Sequence, residues 1–408
     1  MPIFTPSALE PAWQSLLAGV APRRIDDRAL ALLVQRLSRR YQGETVAITA
    51  GDARLARLLF WLPRDLPKLA RPIAELVAAA ALPWDRPLRV LDLGAGLGTS
   101  TVGIVRAFDG LRAAGWPGVP TVGAVEAVDV DPAALELLGL VVSDAAAQGR
   151  ISNAPTVELR AADLVKSPAA MRAHGGPVDL IVFGASLVEL TAGAGTEIER
   201  GDALADIVEN AITYAPLVQG GSVVVIEPAT RPEARALQQA RRVLLERGRG
   251  VVAPCTHALA CPMLARERDW CHEDLRVDLP DWLQAVAQLA GLRWQGLTFS
   301  YLVVQAQARD TVRTLVPAAE HTVSVGRLLS DPMASKGKVE AWVCTNGRAE
   351  RWMQLDRTRR HAARANVDLR SLARGDVCAR RSSDPSAEGA SATVRLAPGD
   401  MTAARAPR

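Results

Sequence analysis

No stretch of about 18 apolar residues runs free of charge, so the pattern offers no membrane-spanning helix. The N-terminus MPIFTPSALEPAWQ has no basic start leading into an apolar stretch and does not read as a secretory signal, although a mild mitochondrial presequence is compatible with it. No internal repeat is visible. Cysteine is scarce, five in 408 residues, and without a secretion signal a disulfide framework is not expected. Charge of one sign is scarce as well: 48 Lys and Arg face 44 Asp and Glu, a net charge of +4 that permits nucleic-acid contact without demanding it. Much of the excess comes late, with 12 arginines against six acidic residues from Arg351 to Arg408, a balance more typical of a solvated tail than of a binding surface.

The chain does carry abundant core material, 49% of it hydrophobic. Residues 1–80 read as helical: Leu30, Leu32, Leu33 and Leu37 recur at helical spacing with arginines on the other face. From Leu88 short apolar strands alternate with helical stretches, from LRVLDLG through GSVVVIEP, which implies an α/β fold with a parallel sheet covered on both faces. Residues 250–280, rich in Cys, Pro, His and charge, break that rhythm, and LTFSYLVVQ resumes it as one more strand. A small β region follows, with alternation in KVEAWVC and a turn at Thr345-Asn346-Gly347. The expected organisation is a helical region at 1–80, a main α/β domain at 81–310 with a cysteine-rich insertion at 250–280, a β extension at 311–376 and a disordered tail at 377–408.

The segment VLDLGAGLGTST places Gly94, Gly96 and Gly98 between a strand and a helix, where glycine lets the backbone turn tightly and approach a ligand. Thr99 stands where the third glycine of a dinucleotide fingerprint belongs, and Asp92 precedes the glycines by two residues. Both features suit a sulfonium-bearing nucleoside better than a pyrophosphate. Asp129, 35 residues past Gly94 at the acidic end of the next strand, is the expected partner of the ribose hydroxyls; Asp131 is second choice and a natural helix cap before Pro132. Asp163, after the third strand, can bind the adenine amino group or cap a turn. Together these markers resemble class I methyltransferases over residues 88–230, which implies S-adenosylmethionine as cofactor.

The acceptor is less legible. The strand ending in IVFGASLVEL lacks the Asn-Pro-Pro-Tyr type segment of amino-directed enzymes, and Glu189 reads as an exposed helix residue rather than a pocket group. Ala253-Pro254-Cys255 resembles a 5-methylcytosine nucleophile segment but follows the fifth strand and a helix, not the fourth strand. Radical chemistry needs cysteine gaps of three and two, whereas Cys255, Cys261 and Cys271 are separated by five and nine residues.

Those three cysteines crowd into 17 residues, and Cys344 can close a four-thiolate site, with His257 and His272 as alternatives; Cys378 lies in the tail. Four thiolates suit zinc or an iron–sulfur cluster. Gaps wider than a zinc knuckle's favour the bulkier centre.

The segment Ala253-Pro254-Cys255-Thr256-His257, Cys261-Pro262 and Trp270-Cys271-His272, followed by Lys336-Gly337-Lys338-Val339 leading to Cys344, resembles the bacterial and mitochondrial family of small-ribosomal-subunit methyltransferase-like assembly factors, over about residues 20–376. Glu227 to Thr230 (EPAT) follows the fifth strand as in that family. Thr256 stands where the family has a proline and Glu273 where it has an aromatic, departures that touch loop shape rather than ligation. The resemblance implies a four-iron four-sulfur cluster on Cys255, Cys261, Cys271 and Cys344, with zinc as the alternative, and binding to the small ribosomal subunit and its 16S-type RNA. Two readings follow: an enzyme methylating ribosomal RNA, or a non-catalytic assembly factor that keeps the cofactor pocket. A monomer is expected, in the bacterial cytoplasm or the mitochondrial matrix.

Overall fold

The computed structural model describes residues 9–82, 85–191, 193–307, 322–356, 368–381, 393–396 and 401–404. The N-terminal helices are α1 (Ala12–Val20), α2 (Asp27–Tyr41) and α3 (Ala50–Ala56), a π-turn at Arg57–Trp61, then α4 (Leu62–Asp65) and α5 (Ala70–Ala78). Asp26 starts α2 by accepting the Ala29 N–H at 2.8 Å, satisfying one of the helix's orphan donors.

The alternation predicted from Leu88 onward is present: β1 (Leu88–Leu93), α6 (Thr99–Ala113), β2 (Val122–Asp129), α7 (Pro132–Ala147), β3 (Thr156–Ala161), β4 (Val178–Gly184), α8 (Leu187–Leu190), α9 (Glu197–Tyr214), β5 (Leu217–Glu227) and α10 (Arg231–Glu246). Next come β6 (Gly250–Ala253), β7 (Glu273–Leu275), α11 (Asp281–Leu289) and β8 (Leu297–Gln305). The strands lie in the order β3-β2-β1-β4-β5-β8-β6, with β7 paired to β8. β1 to β5 run parallel, and β8 runs antiparallel to both β5 and β6. A parallel sheet closed by one antiparallel strand is the class I methyltransferase arrangement. Buried apolar side chains form a core on each face: Val90, Val125 and Leu180 face the N-terminal helices, while Ile181, Phe183 and Val225 face α9 and α10. This explains why the central strands read as near-continuous apolar runs.

A second sheet contains β9 (Thr322–Leu328), β10 (Met333–Ser335), β11 (Lys338–Thr345), β12 (Arg348–Leu355), β13 (Val377–Arg381), β14 (Thr393–Leu396) and β15 (Met401–Ala404). Its order is β14-β12-β11-β9-β13-β15, with β10 on β11. The predicted turn joins β11 to β12, with Asn346 and Gly347 at φ +47° and +74°, the left-handed pair of a tight hairpin. The expected disordered tail is corrected in part: β13, β14 and β15 lie inside it. Cys378 is fully buried and Leu396 and Met401 nearly so. Short strands of four or five residues, paired to β9 and β12, are invisible in a composition dominated by Ala, Ser and Arg because their stabilising partners lie elsewhere in the chain. The rest of that tail, with 311–321 and 357–367 of the β extension and residues 1–8 of the N-terminus, lies outside the described residues.

Candidate cofactor pocket and cysteine centre

The glycine turn sits at the C-terminal edge of the parallel sheet, where open α/β sheets bind ligands. Gly94, Gly96 and Gly98 all have positive φ, +74°, +52° and +87°. A Cβ on Gly94 would strike Ser186 at 2.4 Å and one on Gly98 would strike Leu138 at 2.7 Å, so both are glycines by close packing. Gly96 differs: the nearest atom to its Cβ position is the Asp129 carboxylate at 4.0 Å, leaving space on the loop's outer side.

Asp129 ends β2. One carboxylate oxygen accepts the Gly96 N–H at 2.8 Å and the other accepts the Asp131 N–H at 2.9 Å. It therefore anchors the turn and stays half-buried at the sheet's C-terminal edge. Asp131 takes the role of a cap: it accepts from Ala133 and Ala134 at the start of α7 and pairs with Arg54 of α3 at 2.9 Å. Asp92 is fully buried, and its carboxylate accepts from the Ser100 hydroxyl at 2.6 Å and the Thr101 hydroxyl at 2.6 Å. Burial pushes its carboxyl up to about 6 against those two bonds. Asp92 thus staples the first turn of α6 to β1. Asp163 accepts the Val165 and Lys166 N–H groups at 3.0 Å each and pairs with the Lys166 ammonium, a turn-capping geometry.

The cysteine segment lies beyond β6. Cys255, Cys261, Cys271 and Cys344 are all partly buried. Burial first, then the thiols at 255, 261 and 271, holds the Cys344 thiol well above its ordinary range. Burial and the thiols at 261 and 255 push Cys271 up to about 12, and burial and Cys255 push Cys261 up to about 11. Cys344 approaches this loop from β11 of the other sheet. His257 Nε2 stands 3.3 Å from the Cys344 sulfur. His272 does not join the sulfurs but stacks on Trp270 and approaches Arg374. Among the described residues no three His, Cys, Asp or Glu side chains group tightly enough to hold a single metal ion. Metal ligation needs the thiolate form, which burial disfavours at Cys261, Cys271 and Cys344.

The family model described as "Mitochondrial small ribosomal subunit Rsm22" matches residues 68–377. The chain belongs to the Rsm22 family. No curated protein matches its sequence. Among solved structures, the Rsm22-family chain is similar to a putative SAM-dependent methyltransferase from Streptococcus mutans at 13% identity, over 57% of this chain and 47% of that one, with a TM-score of 0.31. It is similar to a ribosomal protein L11 methylase from Lactobacillus delbrueckii subsp. bulgaricus at 15% identity, over 58% and 79%, with a TM-score of 0.30. A SAM-dependent methyltransferase from Thiobacillus denitrificans, solved with S-adenosyl-L-homocysteine, shares 18% identity over 60% and 94%, with a TM-score of 0.30. The chain spans less than half the length of the first of these.

Sequence patterns missed the groups that brace both sites of this Rsm22-family chain. Arg235 donates to the carbonyls of Met263, Arg266 and Asp269, and Arg241 to those of His257 and Leu259, so α10 pins the cysteine loop from one side. From the other side, Arg327 donates to the Pro254 carbonyl and Arg374 to the His272 carbonyl. Arg327 also makes a bidentate pair with Glu75 of α5, 2.8 Å on each arm, and Tyr301 of β8 donates to the same carboxylate at 2.9 Å. Arg71 pairs with Glu273 in the same buried layer. Glu227 at the end of β5, singled out in the sequence only as part of the EPAT segment, takes a role the sequence did not give: it accepts the Leu187 N–H at 3.0 Å, is 1% exposed, and burial pushes its carboxyl up to about 8. For Glu75 and Arg327 the signal in the sequence is a charge within an otherwise apolar stretch, which reads equally as surface.

Proposed function

We propose that this Rsm22-family chain binds S-adenosylmethionine at the Gly94–Gly98 turn, holds a four-iron four-sulfur cluster on Cys255, Cys261, Cys271 and Cys344, and works on the small ribosomal subunit in contact with its 16S-type RNA. The observation that carries the cofactor reading is Asp129 tied to Gly96 at the edge of a parallel sheet, beside an uncrowded glycine. A carboxylate has about four acceptor positions. Two are used internally here, which leaves capacity for the two ribose hydroxyls. Asp92, through Ser100 and Thr101, fixes the loop those contacts depend on. Asp163 is the candidate partner of the adenine amino group, although its carboxylate accepts from its own turn.

For the cluster, the support is the cysteine pattern the sequence shares with the family, with Cys344 reaching the cysteine loop beside His257 and with Arg235, Arg241 and Arg327 donating to that loop's carbonyls. Zinc is the alternative occupant. The chain's residues hold and orient; S-adenosylmethionine itself supplies the electrophilic methyl group, and alignment contributes much of such a rate. Work in the bacterial cytoplasm or the mitochondrial matrix goes with this reading.

Catalysis is the finer question. Glu189, past β4, is exposed and paired with Arg57 at 3.2 Å, and burial raises the Glu227 carboxyl to about 8. Neither is a ready base, which favours the assembly-factor reading over the rRNA methyltransferase. Calorimetry with S-adenosylmethionine, run beside a methylation map of small-subunit ribosomal RNA from cells with and without the gene, separates them. Binding with a changed map means an enzyme, and binding with an unchanged map means a factor. Absence of binding removes the cofactor reading.

A further inference from the structure

The outer face of α2 is basic and leads to the cofactor pocket. Arg28, Leu32, Arg36 and Arg40 recur every fourth residue of this helix, and all four are exposed. Arg39 is neutralised by Glu44 and Arg23 by Asp52. Arg28, Arg36 and Arg40 make no ion pair among the described residues. The stripe from Arg28 to Arg40 is about 18 Å long, the span of about five nucleotides of a stacked strand. It ends at Tyr41, which is 49% exposed and packs edge-on to Trp61 at 6.1 Å. The Tyr41 hydroxyl accepts from Arg57 Nε at 2.7 Å, and Arg57 in turn pairs with Glu189 past β4, at the C-terminal edge of the parallel sheet. Arg57 opens the π-turn, a helix irregularity often found at functional sites.

We propose that the Arg28–Arg36–Arg40 face of α2 is a phosphate track for single-stranded RNA, and that Tyr41 is a stacking platform that halts a base at the mouth of the pocket. Charge complementarity selects a polyanion. The aromatic terminus beside the pocket selects an unpaired strand, because only an unpaired base can splay out and stack. Phosphate contacts of this kind position a strand without reading its sequence. The inference rests on the reading that the chain acts on ribosomal RNA, but not on methyl transfer.

The test uses the full chain, purified anaerobically, and a fluorescein-labelled single-stranded RNA of mixed sequence, about 12 nucleotides long, within the usual site size for such binding. Anisotropy titrations at several salt concentrations give affinity and salt slope. The Arg28→Ala/Arg36→Ala/Arg40→Ala variant should bind about tenfold more weakly or worse, and its slope of log affinity against log salt should fall by about 2, as expected for three lost phosphate contacts on a single strand. Tyr41→Ala should weaken binding about tenfold with little change of slope, while Tyr41→Phe, which keeps the ring, should bind as the parent does. Unchanged affinity and slope in the triple variant would make α2 a solvated face and overturn the proposal. So would absence of RNA binding by the parent chain at low salt, or a Tyr41→Phe defect as large as that of Tyr41→Ala. S-adenosylmethionine affinity, measured on the same samples, should be equal in all of them. Its absence throughout would sink the cofactor reading while leaving the RNA result standing.

Discussion

Replacing Asp129 by Ala tests the cofactor pocket at its most informative atom. In the parent chain the carboxylate spends one oxygen on the Gly96 N–H and one on the Asp131 N–H, at 2.8 and 2.9 Å. The lone pairs left over are those offered to the ribose. A hydrogen bond to a charged group contributes about 1.5–3 kcal/mol, and each 1.4 kcal/mol is about tenfold in affinity. Loss of one such bond therefore weakens S-adenosylmethionine binding by roughly 10- to 150-fold, and loosening of the Gly96 turn adds to that. Asp129→Asn is the milder change: its single amide oxygen can still accept from Gly96, while the charge and the bond from the Asp131 N–H are lost. Calorimetry on both variants, beside a thermal melt to confirm folding, should rank parent over Asn over Ala. A parent-like dissociation constant in Asp129→Ala would refute the assignment of this carboxylate to the ribose.

Three further outcomes follow from the buried groups. Cys261→Ser should lower iron content and destabilise the 255–271 loop, read by metal analysis and limited proteolysis; parent-like iron with normal folding would count against ligation. Glu75→Gln strips the charge from a carboxylate that Arg327 grips with both arms and should lower stability by about 3–5 kcal/mol, as for other broken buried pairs, whereas Glu75→Leu/Arg327→Met should cost much less. Equal losses in denaturant melts would mean that the pair itself stabilises rather than merely avoiding an orphaned charge. Burial raises the Glu227 carboxyl from its ordinary value to about 8, so between about pH 4.5 and 8 the folded chain holds a proton that the unfolded chain has released. Its contribution is complete at low pH and is lost as pH rises through 8, so the parent should lose stability relative to Glu227→Gln across that window. A pH-independent difference between the two would contradict this.

How much of this was readable without coordinates follows from the range of the forces involved. The strands and the glycine turn are local patterns, since a buried parallel strand announces itself as an apolar run and a tight turn as glycine. The cysteine pattern stands out in the sequence because cysteine is rare, but its spacing alone does not say how near Cys344 on β11 comes to the other three. Asp92 was placed at the pocket but not in its role: its bonds to Ser100 and Thr101 depend on the first turn of α6 folding back on β1. The arginine cage was hidden for a similar reason. Arg327 meets Glu75 across 252 residues, and nothing near either in the chain marks it as buried. The last strands failed on composition, because four residues paired to a distant partner look like any polar linker.

The claim on which the rest depends is that the thiols of Cys255, Cys261, Cys271 and Cys344 share one inorganic centre. Iron, zinc and acid-labile sulfide analysis, with an absorption spectrum, on protein purified without oxygen tests it most directly. The account predicts brown protein with about four irons and four sulfides per chain, the content of one cubane held by four thiolates. Colourless protein carrying one zinc, or no metal at all, would contradict it.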